Sequence, residues 1–369
     1  MDDLEELEDI EIIYSDDEDD HFEMEEDPET RQTETEIEIK DMSLLTFANH
    51  QKSVFATDVS KDDVLAVTGG EDDIAFVWNT DSGDILFDCK GHKDSVTEVA
   101  FNLNNKYLAT GDMAGMIQIW NVKEKKLAWC LEADDMEWLM WHPLINVIMC
   151  GCQTGNIYIW EIPSKNCKVL PSPGFCPCTS GKVLAGGKHL LTSYGNGHVK
   201  MWALKEGNIM WTNSDNATVN NIEINCDDSL IVVIPSGKII RASDGKTMGT
   251  VMLDGQIEIE AALFSKDSDI IITGSLSGQL CVWQLGKYTI RHQAKIDCAV
   301  TVLRWSHLGN AIIGTTDGDI YICNPKSGTL VQTLTGHRSD ILSISVFNNA
   351  NKILTSSDDG SAKIFILDN

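Results

Sequence analysis

Carboxylates gathered in turns are the residues of this 369-residue chain whose type and spacing could do chemistry. Asp94, Asp134, Asp135, Asp297 and Asp340 each fall in a turn that leads into a strand-like run. Glu71, Asp73, Asp112 and Asp358 fall in turns before a second kind of run, one that ends in Trp or a substitute. Glu98 lies on a run itself, and Glu137 stands next to Trp138 in ADDMEWLMWHP, residues 133–143. Negative charge attracts a cation, and an indole face can stack the stem of an Arg or Lys. The combination therefore suits a basic, partly apolar ligand. Trp138 reads equally as an exposed anchor for such a ligand or as a core residue, whereas Trp141 reads as core. Bond-making chemistry is not suggested: there is no nucleophile elbow, no phosphate-binding glycine loop and no metal-spaced His set. His142 and His198 are isolated and read as structural. Cys150-Gly151-Cys152 and Cys176-Pro177-Cys178 lack the spacing that lets four ligands converge on a metal. The expectation is a binding protein without catalytic residues, cofactor or metal.

A repeat positions these side chains. Trp78, Trp120, Trp160, Trp202 and Trp283 occupy like places in FVWN, QIWN, YIWE, KMWA and CVWQ. Cys323 and Phe365 take that place in YICN and KIFI, and in SGKIIRAS it falls to Ala242 or a neighbour. Successive places are 40 to 42 residues apart, which makes eight copies. A glycine recurs five residues earlier (Gly115, Gly155, Gly197, Gly278, Gly318, Gly360) and a threonine ten earlier (Thr68, Thr110, Thr192, Thr273, Thr355). His50, His92 and His337 each precede their Trp or Phe by 28 residues. Within one copy, residues 91–121, three short extended runs alternate with turn chemistry and show no helical period. This is an all-β pattern.

These residues resemble the WD40 repeat, in which a Gly-His turn and a Trp bracket a four-stranded blade. The resemblance spans roughly residues 38–369 and implies an eight-bladed β-propeller, with seven blades as the alternative if the worn copy near Ala242 is an insertion. It also implies a chain of hydrogen bonds within a blade, from Asp to His to Ser/Thr to Trp. His50, Thr68, Asp72 and Trp78 match all four places. His337, Thr355 and Asp359 match three, and Phe365 has no N–H to donate. His92, Thr110 and Trp120 match with Ala114 at the Asp place. Buried imidazole and indole N–H groups need partners, so blades without the chain rely on apolar packing. The last copy ends soon after Phe365, one strand short of a blade. IKDMSLLTF (residues 39–47) precedes the first blade and belongs to none. That run is expected to supply the missing outer strand, sparing the ring an open edge. In a propeller the two carboxylate-bearing turn types emerge on one face, and Glu98 lines the channel, so the acidic turns form one ring. DDMEWLMWHP, the leader IEIIYSDDEDD and the eight copies together resemble the angio-associated migratory cell protein family. That resemblance implies a chaperone-like role in holding the basic N-terminal segment of a new large-subunit ribosomal protein. It offers a scaffold in cell migration and vessel growth as the alternative. A heparin-binding basic segment found in some members has no counterpart in this acidic leader.

Charge and composition set the remaining bounds. The net charge is −29. Residues 1–36 hold 19 Asp/Glu and one basic residue, Arg31, and so account for −18. Segment 1–37 cannot bury enough apolar surface to fold alone and reads as an acidic disordered tail. Leu4, Leu7, Ile10, Ile12, Ile13 and Tyr14 within it could form a docking run, and Ser15 precedes DDEDD as a possible acidophilic kinase target. An acidic whole argues against nucleic acid or anionic membrane as direct partner and favours a basic protein segment. The acidic N-terminus is not a signal peptide, and no apolar run reaches the length of about 20 residues needed for a membrane span. With 11 Cys, these features suggest reduced thiols in a monomer of the cytoplasm, or of cytoplasm and nucleus both. Asn216-Ala217-Thr218 fits a glycosylation sequon that would be silent there.

Overall fold

The computed structural model describes residues 40–172, 174–252, 258–266, 269–349 and 351–368. The leader, with its docking run and Ser15, lies outside the described residues. The described residues form eight four-stranded antiparallel sheets. Blades one to seven each take four consecutive strands, the first running from Val54–Val59 to Ile85–Cys89 and the seventh from Val300–Trp305 to Thr329–Leu334. Blade eight takes three strands, Ile341–Val346, Lys352–Ser357 and Ala362–Ile366, and receives its outer one from Leu45–Phe47. Leu45 pairs with Ile364 and Phe47 with Ala362. Of the described residues 40–47, only Leu45–Phe47 make the strand, while the Met42 and Leu44 N–H groups bond to Thr335 and Ile364.

The apolar runs in the second and third strands of each blade are explained by burial on both faces. Eight apolar clusters stand among the described residues, one at each junction between neighbouring blades. Val67, Val77 and Cys89 of blade one meet Val99, Phe101 and Leu108 of blade two. Around the ring, Phe47 and Leu354 of blade eight meet Val59, Ala66 and Trp78 of blade one. Cross-blade hydrogen bonds reinforce the junctions. Phe101 N–H donates to Asp58 Oδ2 (2.7 Å), Trp141 Nε1–H to the Ala100 carbonyl (2.9 Å) and Thr301 Oγ1–H to the Ile341 carbonyl (2.6 Å). Thr57 meets Ser343 and Ser345 at the closing junction.

The worn copy is a full blade, blade five, built from Asn221–Ile224, Leu230–Ile234, Lys238–Arg241 and Thr247–Thr250. Pairing of Ile231 with Ile240 corresponds to that of Leu108 with Trp120, so Ile240 holds the Trp place and Ala242 does not. The turn Pro235-Ser236-Gly237 is shortened, and the landmark arrives two residues early. The recurrent glycines all have positive φ, for example 83° at Gly115 and 77° at Gly278. A Cβ at Gly115 would lie 2.3 Å from the Asp134 carbonyl oxygen. Steric exclusion as well as backbone freedom fixes glycine there.

Candidate functional site

In blades one, two, three, seven and eight, backbone hydrogen bonds tie the turn between the second and third strands to the loop leading into the blade. Glu71 N–H bonds to Ser53 O, Met113 to Ser95, Gln153 to Asp135, Thr316 to Ala299 and Asp358 to Asp340, over 2.8–3.1 Å. Both turn types therefore share one face. Asp73, Asp94, Asp135, Asp297 and Asp358 are exposed there, and Glu71, Asp134, Glu137 and Asp340 are half-exposed. Lys52 and Lys93, on the same loops, lie beside Glu71 (3.4 Å) and Glu132 (3.9 Å). Asp358 also accepts from Ser53 Oγ of blade one and Ser339 Oγ, bridging the closing junction. Asp134 is less free than its neighbours. Hydrogen bonds from Thr154, Asn156 and Tyr158 hold its carboxyl below the usual range against the opposing effect of burial.

Two of the residues expected on this face do other work. Trp138 is a core residue, 7% exposed, packed with Met149, Ile157, Leu190 and Trp202. Its space exists because Gly151 and Gly181 flank it: a Cβ on either would sit 2.2 or 2.5 Å from the indole. The exposed-anchor reading of Trp138 is therefore corrected. Asp112 is wholly buried and accepts from Lys93 N–H (3.0 Å) and Met116 N–H (2.9 Å), with His92 Nδ1 at 3.1 Å. Burial opposes its ionisation, but these bonds hold its carboxyl below the usual range. Asp112 thus performs in blade two the task that spacing would have given to position 114, and it is unavailable to a partner. Trp141, read as core, is half-buried, its indole N–H spent on blade two.

The internal hydrogen-bonded chains vary from blade to blade. In blade two, His92 Nε2 reaches Thr110 Oγ1 (2.8 Å), which accepts from Trp120 Nε1–H (3.3 Å). In blade one, Asp72, His50 and Thr68 are joined, but the Trp78 N–H meets no acceptor and the indole stacks on Phe47 instead, centroids 4.7 Å apart. Blade eight joins Asp359, His337 and Thr355 beside Phe365. Blades four and six lack the His, yet Trp202 and Trp283 still donate to Thr192 and Thr273. His142 is structural: its Nδ1 accepts from Leu144 N–H and its Nε2 lies 2.8 Å from the Gly187 carbonyl.

Glu98 stands half-buried on the inner strand of blade two. Burial pushes its carboxyl up to about 8, with Lys182 and Arg304 pulling the other way. Lys182 also pairs with Glu223 of the next blade at 2.9 Å. The channel lining is thus mixed in sign.

Other residues of this face were missed in the sequence. Asp317, exposed in the corresponding turn of blade seven, holds the place that Asp72 and Asp359 hold in theirs. With Lys295 where those blades have His, it has no imidazole to serve and faces outward. The signal was available in its spacing from Cys323. Burial, together with Asp317, raises the nearby Asp319 carboxyl. The exposed apolar residues on the face are Phe175 (90%), Leu276 (60%) and Met113 (47%). They sit in turns, where no periodicity marks them.

Comparison with known proteins accords with this geometry. The model of the WD domain, G-beta repeat, matches residues 42–79, 83–121, 250–284 and 328–365. The Homo sapiens angio-associated migratory cell protein is 35% identical over 353 residues, spanning 89% of this chain and 81% of that protein. The chain belongs to the angio-associated migratory cell protein family. This family member is a WD40 propeller. Its fold is shared with Sqt1 of Saccharomyces cerevisiae (TM-score 0.81, 20% identity, 89% of this chain and 100% of that one). It is shared equally with Chaetomium thermophilum Sqt1, solved bound to the N-terminus of the ribosomal protein L10 (TM-score 0.80, 18% identity, 89% and 100%).

Proposed function

We propose that the carboxylate face captures an extended, Lys/Arg-rich protein segment, and that this segment is the N-terminus of a large-subunit ribosomal protein held before ribosome assembly. The observation that carries this reading is the set of exposed carboxylates on one face from blades one, two, three, seven and eight, which outnumber the cations there, Lys52, Lys93, Lys295 and Arg338, the first two of them already paired. The L10 N-terminus on a propeller of the same fold supports it. Each exposed charge pair contributes only about 0.2–1 kcal/mol, so affinity requires several pairs and an apolar anchor. With Trp138 buried, Phe175 and Met113 take that role. The protein acts by binding and not by catalysis, in the cytoplasm and as a monomer.

The test is calorimetric titration with the basic N-terminal peptide of the organism's own L10. Asp94→Lys, Asp135→Lys and Asp340→Lys together should weaken binding about tenfold or more, and Phe175→Ala about fivefold. Equal affinity of the native and triply reversed proteins would end the proposal. The name borne by the 35% identical relative favours a second reading, a scaffold in cell migration. That reading predicts co-purification with cytoskeletal proteins and no defect in large-subunit assembly on depletion.

A further inference from the structure

The opposite face has a different character. Turns between first and second strands meet those between third and fourth there, as Val122 N–H bonds to Lys106 O, Ile162 to Asn146 and Leu204 to Lys188. Across blades two to four these turns expose Lys106, Lys123, Lys125, Lys126, Lys165, Lys188 and Lys205. Every ion pair involving Lys among the described residues lies elsewhere. Glu124, Glu161 and Glu206 interrupt the patch, and Asp228 of blade five bounds it, accepting from Ala185 N–H at 2.7 Å.

Between blades three and four, within this patch, lies a cavity of about 470 Å³ with mainly apolar walls: Ile145, Val147, Met149, Ile159, Cys167 and Leu204. That volume falls in the range of about 300–1,000 Å³ typical of ligand clefts. The Lys168 ammonium donates to the Leu204 and Lys205 carbonyls (2.8 and 2.9 Å), clamping the two blades together along one wall. His142 meets the Gly187 carbonyl at another side. The walls are thus held by internal bonds. Leu144 and Ile145 stand 56% and 55% exposed at the rim.

We propose that this cleft is a second docking site, for an acidic peptide segment of a partner protein in which Asp/Glu alternates with Leu or Ile. The apolar side chains fill the cleft and the carboxylates meet the surrounding lysines. Charge complementarity selects an acidic guest, and the apolar cleft at the centre of the charge selects a peptide over a nucleic acid. A single-stranded nucleic acid would use aromatic stacking platforms, and the exposed large side chains of this patch, Leu103, Leu127, Leu144 and Ile145, are aliphatic. The site is independent of the carboxylate face.

Fluorescence anisotropy with the full chain tests it, using three labelled probes: a 14-residue peptide alternating Leu with Asp/Glu, the same peptide with Ser for Leu, and a 14-nucleotide oligouridylate. The Leu peptide should bind at least about tenfold tighter than the Ser peptide. Ile145→Asp should cost about tenfold, as should Lys125→Glu, Lys126→Glu and Lys165→Glu together. All these residues are exposed, so thermal melting and binding of a basic peptide should stay unchanged. Equal binding of the Leu and Ser peptides would overturn the proposal. So would oligouridylate binding that is sensitive to the lysine changes but not to Ile145→Asp, which would mark a nucleic-acid surface instead.

Discussion

Single carboxyl groups in this propeller pull stability in opposite directions as pH changes. Asp112 is held below the ordinary carboxylate range once its bonds to His92, Lys93 and Met116 outweigh burial. Its contribution is therefore present above that range and is lost as pH falls through the depressed value. Asp112→Asn should cost about 2–3 kcal/mol at neutral pH, read as a lower denaturation midpoint, with a smaller difference in strong acid. Glu98 is the reverse case. Burial lifts it to about 8 from 4.5, so the folded protein keeps a proton that the unfolded chain gives up. Stability should fall as pH rises between those two values. Glu98→Gln should flatten this dependence, melting about 2 °C or more above the native protein at pH 9 and level with it at pH 4. A native protein less stable at pH 4 than at pH 9 by the same residue would contradict the assignment. Neither fate was legible in spacing. Asp112 and Asp73 both looked like free turn acids, and only the third dimension shows which backbone N–H groups converge on one of them. Alternation placed Trp138 in register with Glu98, but its depth depends on Gly151 and Gly181, one of them in the next blade.

At the scale of the strand, the junction between the first and last blades concentrates stability in few residues. Phe47 is 3% exposed, stacks on Trp78 and forms part of the only strand that joins distant ends of the described chain. Phe47→Ala should cost about 3–5 kcal/mol. Leu44→Ala, three residues away and 53% exposed, should change stability by no more than about 0.5 kcal/mol. Paired urea titrations check both, and equal losses would show that the strand is held by its backbone alone. This junction was readable in advance because a blade one strand short and a strand without a blade imply each other. The repeat count was readable because Gly, Thr and Trp answer to different constraints, a left-handed turn, a hydroxyl acceptor and a buried indole, and still kept phase. Blade five blurred that signal where Ile240 replaced the indole and a shortened turn shifted the frame.

The whole molecule presents carboxylates on one face and unpaired lysines on part of the other. Long-range fields of this kind act mainly on encounter. Capture of a basic peptide should therefore slow about tenfold or more between 50 and 300 mM salt, with dissociation less affected, as stopped-flow measurement would show. An association rate indifferent to salt would mean that apolar contacts alone govern capture. The clasp between Leu45–Phe47 and Ala362–Ile366 has a temporal side as well. Thr46 and its partner Lys363 are 317 residues apart, and chains grow at about 5–20 residues per second. The early strand thus waits roughly a quarter of a minute to a minute for its mate to be made. Until then blade one has no neighbour on that side, and a bare strand edge is a template for stray pairing. The growing polypeptide is most vulnerable in the interval before its own hoop can shut.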